Sequence, residues 1–66
     1  MTYREAVREF KKNDLPRIVR FEKSYGRTTP DKAMRGQCWN DWTDSLQRDG
    51  IITAKQYDRW ENPFWN

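Results

Sequence analysis

A single cysteine and the absence of histidine constrain most strongly what this chain of 66 residues can fold into. One cysteine cannot form an intramolecular disulfide, and the usual zinc sites need further Cys or His ligands. A chain of this length buries only about 60% of the surface that its unfolded form exposes. We therefore expect one domain, residues 1–66, that is held together by the packing of a few large side chains.

The large side chains in question are aromatic. The sequence has four Trp, three Tyr and three Phe, whereas hydrophobic residues as a whole make up 35% and charged residues another 35%. Each ring can bury roughly 150–250 Å², which offsets a composition that otherwise leans towards disorder. Helical spacing of apolar residues, with no strand pattern, predicts a small all-α domain of three or four short helices. Its predicted core consists of Phe10, Ile18, Trp42, Leu46, Tyr57 and Trp60.

Capping signals define the first two helices. Thr2 and Glu5 form a capping box, and apolar residues recur at helical spacing from there to Asn13. Asp14 is the predicted N-cap of the second helix, and Gly26 is expected to end that helix in the left-handed conformation. A short corner and a kinked continuous helix both fit the junction. The apolar stripe of the second helix comprises Leu15, Ile18, Val19, Phe21 and Tyr25.

The third helix is predicted to begin with Thr29 as N-cap and Pro30 in its first turn, and to end at Gly50. Gly36 weakens a helix by about 1 kcal/mol relative to alanine, so we expect another helix to approach closely there. The apolar stripe of this helix runs through Met34, Cys38, Trp42, Ser45 and Leu46, with Trp39 at its edge.

The fourth helix has a capping box made by Thr53 and Gln56, and Asn62 before Pro63 is pushed out of helical geometry. Ile52 and Tyr57 are placed to form a hydrophobic staple across its start. The chain must then leave the helix axis. We expect Phe64 to fold back onto the core, whereas Trp65 fits either a core position or a contact with a partner.

The formal net charge of +3 is unevenly distributed. Residues 1–33 carry nine Lys or Arg against five Asp or Glu, whereas residues 34–66 carry four against five. The simplest interpretation of the cations on the first two helices is a solvated surface. They also suit an acidic protein surface or phosphates, because clustered cations raise both affinity and encounter rate. Together with two aromatic residues, the candidate partner-binding residues are Arg4, Arg8, Lys11, Lys12, Arg17, Arg20, Lys23, Trp39 and Trp65.

A helix-turn-helix element is the alternative nucleic-acid-binding site. The segment "SLQRDGIITAKQYDRW" places a glycine turn between two helices, and the second helix would offer Lys55, Gln56 and Arg59 to base edges. Against this interpretation, Asp58 and Glu61 would lie in or near an anionic groove. Glycine-centred corners are also common in small helical proteins.

Catalytic equipment is scarce. Without histidine or a second cysteine, no standard pair of nucleophile and base can be drawn. Cys38 on an apolar face is most often a buried small side chain, and Asp41 with Asp44 is too sparse for a metal cage. We expect a protein that is not an enzyme and that has no cofactor or metal site.

The N-terminal stretch "MTYREAVREFKK" is charged at short intervals, unlike the apolar region of a signal peptide. No segment approaches the roughly 18 consecutive apolar residues that span a bilayer. We expect a soluble protein of the cytoplasm without a membrane partner.

The segment "DGIITAKQYDRWENPF", from Asp49 to Phe64, resembles the C-terminal part of short uncharacterised proteins of bacteriophages and bacterial mobile elements, and covers about a quarter of the chain. The shared pattern is D-G-x-I-T-x-K-Q-Y-x-x-W-x-N-P-F. This resemblance implies the cytoplasm of a host cell as the setting. Very small phage proteins without catalytic groups often act by occupying a surface of a host protein, including the restriction and CRISPR systems of host defence.

The leading hypothesis is therefore a non-catalytic interaction protein that binds and modulates a host protein, with host defence machinery as one candidate target. The alternative is a small nucleic-acid-binding regulator that uses the basic helical face or the helix-turn-helix-like element. A homo-oligomer whose exposed aromatic residues meet is a third possibility.

Overall fold

Four helices make up the fold in the computed structural model, which describes residues 1–65. They are α1 (Tyr3–Asn13), α2 (Leu15–Ser24), α3 (Lys32–Arg48) and α4 (Ala54–Arg59), and no strand occurs within this range. The predicted all-α fold class is confirmed. Over the same residues, no helix is both long enough and apolar enough to cross a membrane.

The two predicted capping boxes are confirmed. The Thr2 hydroxyl accepts a hydrogen bond from the Glu5 amide at 3.2 Å, and the Glu5 carboxylate accepts one from the Thr2 amide at 3.0 Å. Thr53 and Gln56 exchange the equivalent bonds at 3.1 and 3.0 Å. Each box satisfies amides that the first turn of a helix leaves without an intrahelical partner.

Asp14 alone separates α1 from α2, and its backbone remains right-handed helical. It occupies the predicted N-cap position of α2, but its side chain makes no capping hydrogen bond there. The carboxylate instead forms a salt bridge with Arg17 one turn later. The position of the cap was predicted correctly, and its chemistry was not.

Gly26 ends α2 as predicted, with a φ of +74°. Its amide donates to the Lys23 carbonyl at 3.0 Å, and the Arg27 amide donates to the Glu22 carbonyl at 3.1 Å. This pair of bonds is the Schellman arrangement, in which a residue of positive φ satisfies the last carbonyls of a helix.

The start of α3 differs from the prediction of Thr29 with Pro30. The N-cap is Asp31, whose carboxylate accepts from the Met34 amide at 3.0 Å. The Asp31 amide in turn donates to the Glu22 carboxylate at 2.8 Å. Because this last bond joins residues nine positions apart, the local capping pattern could not indicate it.

The core cluster comprises Ala6, Phe10, Ile18 and Trp39. Trp39 is only 2% exposed, and its ring meets that of Phe10 edge to face at 5.5 Å. The predictions that Trp39 lies at the edge of the buried face and contacts a partner are therefore wrong. The partly buried residues packed against this cluster are Val7, Leu15, Met34, Cys38, Trp42, Trp60 and Phe64.

The misplacement of Trp39 has a simple cause. The buried face of α3 is formed by Gly36, Trp39, Thr43 and Leu46, at spacings of three or four residues. Two of these four are not apolar, so the face does not stand out as a hydrophobic stripe. Thr43 is accommodated there because its hydroxyl donates to the Trp39 carbonyl at 3.0 Å.

The other predicted core residues are confirmed in part. Phe10, Ile18 and Leu46 are buried, whereas Trp42 and Trp60 are half-buried against the core cluster. Tyr57 is half-buried and, like Leu46, lies outside that cluster. Helix α4 ends at Arg59, which leaves Trp60 in extended geometry directly after the helix.

The C-terminal segment folds back on α3 through Asn62. The Asn62 amide group donates to the Gly36 carbonyl at 2.8 Å, and its side-chain oxygen accepts from the Phe64 amide at 3.0 Å. The Phe64 ring lies 5.5 Å from that of Phe10, measured between centroids. The prediction that Phe64 folds back onto the core is confirmed.

As expected, another group approaches Gly36 closely, but this group is a side chain and not a helix. A Cβ atom at this position would lie 1.7 Å from the indole nitrogen of Trp65, so the ring rests directly on the helix backbone. The same nitrogen donates to the Lys32 carbonyl at 3.0 Å. The glycine therefore makes room for the Trp65 ring rather than for another helix.

Candidate functional site

Helix α2 leaves two aromatic side chains in solvent. Phe21 is 48% exposed and Tyr25 is 69% exposed, and their rings meet edge to face at 4.7 Å. Both belong to the apolar stripe that the sequence predicts to be buried. Within that stripe, Ile18 is buried and Leu15 and Val19 are half-buried, so Phe21 and Tyr25 are its exposed members.

An open groove of about 450 Å³ lies between α2 and α3, next to Phe21. We call it the α2–α3 groove. Its apolar lining is formed by residues of α1, α2 and α3, namely Phe10, Ile18, Phe21, Met34 and Cys38. Its polar lining residues are Asp14, Arg17 and Asp41. An apolar floor with a few polar groups around it is typical of binding sites in proteins.

The carboxylates of Asp14 and Asp41 give the groove a negative character. Burial raises the pKa of the Cys38 thiol, and the charges of Asp41 and Asp14 raise it further. Asp14 is paired with Arg17, whereas Asp41 accepts a hydrogen bond from Gln37 Nε2 at 3.0 Å and forms no ion pair with residues 1–65. Asp41 is thus available to a cation that enters the groove.

A bidentate ion pair fixes the distance between the two walls of the groove. Arg35 Nε and Nη2 lie 2.9 and 2.7 Å from the carboxylate oxygens of Glu22, and both side chains are largely buried. The hydrogen bond from Arg35, followed by that from the Asp31 amide, lowers the pKa of Glu22. Because α2 is held to α3 at this point, the groove exists before any partner arrives.

The sequence pattern alone did not single out Glu22 as a functional residue. One signal was present. Glu22 follows Ile18 by four residues, so it lies on the buried face of α2. A charged residue on such a face normally has a partner of opposite charge, but the sequence alone does not say which of thirteen Lys and Arg residues that is.

The seven cations predicted as a partner-binding face all lie on the exposed surface of α1 and α2. Among residues 1–65, only Arg17 of the seven takes part in a salt bridge. Arg17 is also the only one that lines the α2–α3 groove, whereas Arg4 and Arg8 border a second hollow with Tyr3 and Val7.

The alternative nucleic-acid site is only partly free. Gln56 uses its oxygen in the capping box and its Nε2 to donate to the Met1 carbonyl at 2.9 Å. Lys55 and Arg59 remain exposed on α4, which is six residues long. Reading of a base by Gln56 would therefore require two native hydrogen bonds to break.

Trp65, the other aromatic candidate, is 50% exposed but is anchored through its indole nitrogen to α3. A partner would therefore contact the exposed face of this ring while the indole nitrogen remains bound to α3. In residues 1–65, no group of three or more Cys, Asp or Glu side chains is arranged to hold a metal ion.

No match was found for this chain among protein-family models, curated proteins or solved structures. On the surface of the chain itself, the α2–α3 groove with Phe21 and Tyr25 combines apolar area, shape and charge.

Proposed function

We propose that this chain is a non-catalytic interaction protein that binds and modulates a protein of a host cell through the α2–α3 groove. The observation that carries the proposal is the exposure of Phe21 and Tyr25 beside an apolar groove. A domain this small depends on its aromatic residues for stability. Two rings left in solvent on one face are thus better explained by a partner than by folding.

The chemistry of the surface suits a protein partner. Aromatic residues and arginine supply most of the binding energy at protein interfaces, and Arg17 stands one helical turn before Phe21. The arrangement gives little support to catalysis, because burial keeps the Cys38 thiol protonated and the sequence has no histidine.

The host setting comes from the resemblance of the C-terminal segment to short proteins of bacteriophages and mobile elements. It favours a target in the host cell, and the restriction or CRISPR machinery of host defence is a candidate. Much of that segment has a structural role in this chain, since Asn62 and Phe64 hold the tail to the core. We therefore expect the partner-binding residues to lie outside this segment.

The test is affinity capture from host lysate with the wild-type chain and the Phe21→Ser and Tyr25→Ser variants. We expect each variant to bind the captured host protein at least about thirtyfold more weakly, because loss of a hot-spot side chain costs about 2 kcal/mol or more. Both side chains are half-exposed or more, so the fold should persist, which far-UV circular dichroism verifies.

The matched control is Ile51→Ser, which removes an equally exposed apolar side chain at the turn between α3 and α4. It should capture the host protein as the wild type does. Failure to capture any host protein, or equal losses in all three variants, would count against the proposal.

A second candidate function, nucleic-acid binding, is favoured by the six exposed cations of α1 and α2 that form no salt bridge within residues 1–65. It predicts binding to DNA or RNA that weakens steeply with salt. Arg8→Glu and Arg20→Glu should each lower the slope of log K against log salt by about 0.7–0.9 per lost phosphate contact.

Arg48→Glu is the control for that experiment, because it changes the net charge equally at an exposed position on α3. Binding that responds alike to all three charge reversals would indicate attraction by net charge alone. No binding at about 50 mM salt would exclude this second function.

A further inference from the structure

The α2–α3 groove and the exposed ring of Phe21 lie on the same face of the molecule. Phe21 forms one wall of the groove and is still 48% exposed, and Tyr25 follows one turn later along α2. A surface that carries both a cavity and a protruding ring can pair with a copy of itself. A two-fold axis then places each ring over the groove of the other molecule.

The charges of this face are also self-complementary. Asp41 borders the groove without an ion-pair partner among residues 1–65, and Arg17, which is paired with Asp14 of its own chain, extends from the same wall as Phe21 with its side chain 74% exposed. The groove is thus suited to an apolar ring with a guanidinium beside it. Helix α2 of a second copy presents that combination.

We infer that the free protein forms a two-fold symmetric dimer in which Phe21 of each copy enters the α2–α3 groove of the other and Arg17 approaches Asp41. The inference rests on the proposed use of this groove as an interaction surface. It identifies what covers the groove when no host protein is bound. Dimer formation and host binding then compete for the same residues.

The size of the surface sets the strength of the dimer. Helix α2 has ten residues and is therefore about 15 Å long. We expect contacts confined to one face of so short a helix to bury less than the roughly 800 Å² per partner of a stable interface. The dimer is accordingly weak, with a Kd between about 10 µM and 1 mM, and it yields readily to a tighter partner.

Sedimentation equilibrium of the purified chain from about 10 µM to 1 mM tests this inference. The mean mass should rise from 8.1 kDa towards twice that value. Phe21→Ser should remain a monomer throughout, while Ile51→Ser should associate as the wild type does. Asp41→Lys should raise the Kd at least about fivefold, whereas Asp44→Lys, on the same helix but outside the groove lining, should leave it unchanged.

A wild-type mass of 8.1 kDa at 1 mM would overturn the dimer, as would association that Phe21→Ser and Ile51→Ser weaken equally. These outcomes are separate from those of the affinity capture. Capture of a host protein that depends on Phe21, by a chain that stays monomeric, would refute the dimer and support the proposed function. A Phe21-dependent dimer that captures nothing from lysate would support the dimer and count against the proposed function.

Discussion

Replacing Trp39 with alanine is expected to remove a large part of the free energy of unfolding at 25 °C. The side chain is 2% exposed and its ring is in contact range of four other aromatic rings, those of Tyr3, Phe10, Trp42 and Trp60. Removing a buried tryptophan costs about 3–5 kcal/mol. A domain of this length has roughly 3–10 kcal/mol of total stability, so the loss amounts to about a third of that stability or more.

Urea unfolding followed by far-UV circular dichroism measures this loss. The matched control is Trp65→Ala, which removes the same side chain from a half-exposed position with a single hydrogen bond to α3. We expect the control to lose less than half of what Trp39→Ala loses. Equal losses would mean that the rings around Trp39 can close the cavity, contrary to the packing described above.

The sequence predicted those features that depend on neighbouring residues. Both capping boxes and the glycine that ends α2 involve groups within five positions of one another, so their chemistry is visible in a short segment. The start of α3 was mispredicted because Asp31 is held by Glu22 across the intervening loop. A contact of that kind depends on how two helices are placed, which no local pattern specifies.

In the candidate site as well, features set by neighbouring residues were predictable and contacts between helices were not. The exposure of the four cations on α1, Arg4, Arg8, Lys11 and Lys12, followed from their position away from the apolar residues of that helix. The α2–α3 groove could not be predicted, because it depends on α3 presenting Trp39 to the core and turning Met34 and Cys38 towards α2. Phe21 and Tyr25 fit the apolar periodicity as well as Ile18 does. Only the packing distinguishes a buried ring from an exposed one.

Replacing Glu22 with glutamine is expected to lower the Tm by at least about 10 °C, the lower end of the effect of breaking a buried ion pair in a domain of this size. Glutamine keeps the acceptor for the Asp31 amide but leaves Arg35 without its counter-charge. The Arg35 side chain is only 16% exposed, so water replaces the lost carboxylate incompletely. Thermal unfolding at neutral pH measures the effect.

The dependence of stability on pH identifies the charge as the cause. The pKa of Glu22 lies below the ordinary value of 4.5, so the folded state binds the proton less tightly than the unfolded state. The stabilisation is therefore complete above about pH 4.5 and is lost as the pH falls through the lowered pKa. Glu5 contributes in the same direction, because its hydrogen bonds with Thr2 lower its pKa as well. Glu22→Gln should flatten the acid side of the profile without abolishing it.

The double variant Glu22→Met/Arg35→Met decides what the ion pair is for. Two apolar side chains of similar length need no desolvation of charge, so the double variant should recover most of the Tm that Glu22→Gln loses. If it does, the pair contributes more to the placement of α2 against α3 than to stability. The double variant should then fold yet capture less host protein, because its groove is no longer held at a fixed width. A double variant as unstable as the single one would instead mean that Glu22 stabilises the fold directly, because methionine cannot accept the hydrogen bond from the Asp31 amide.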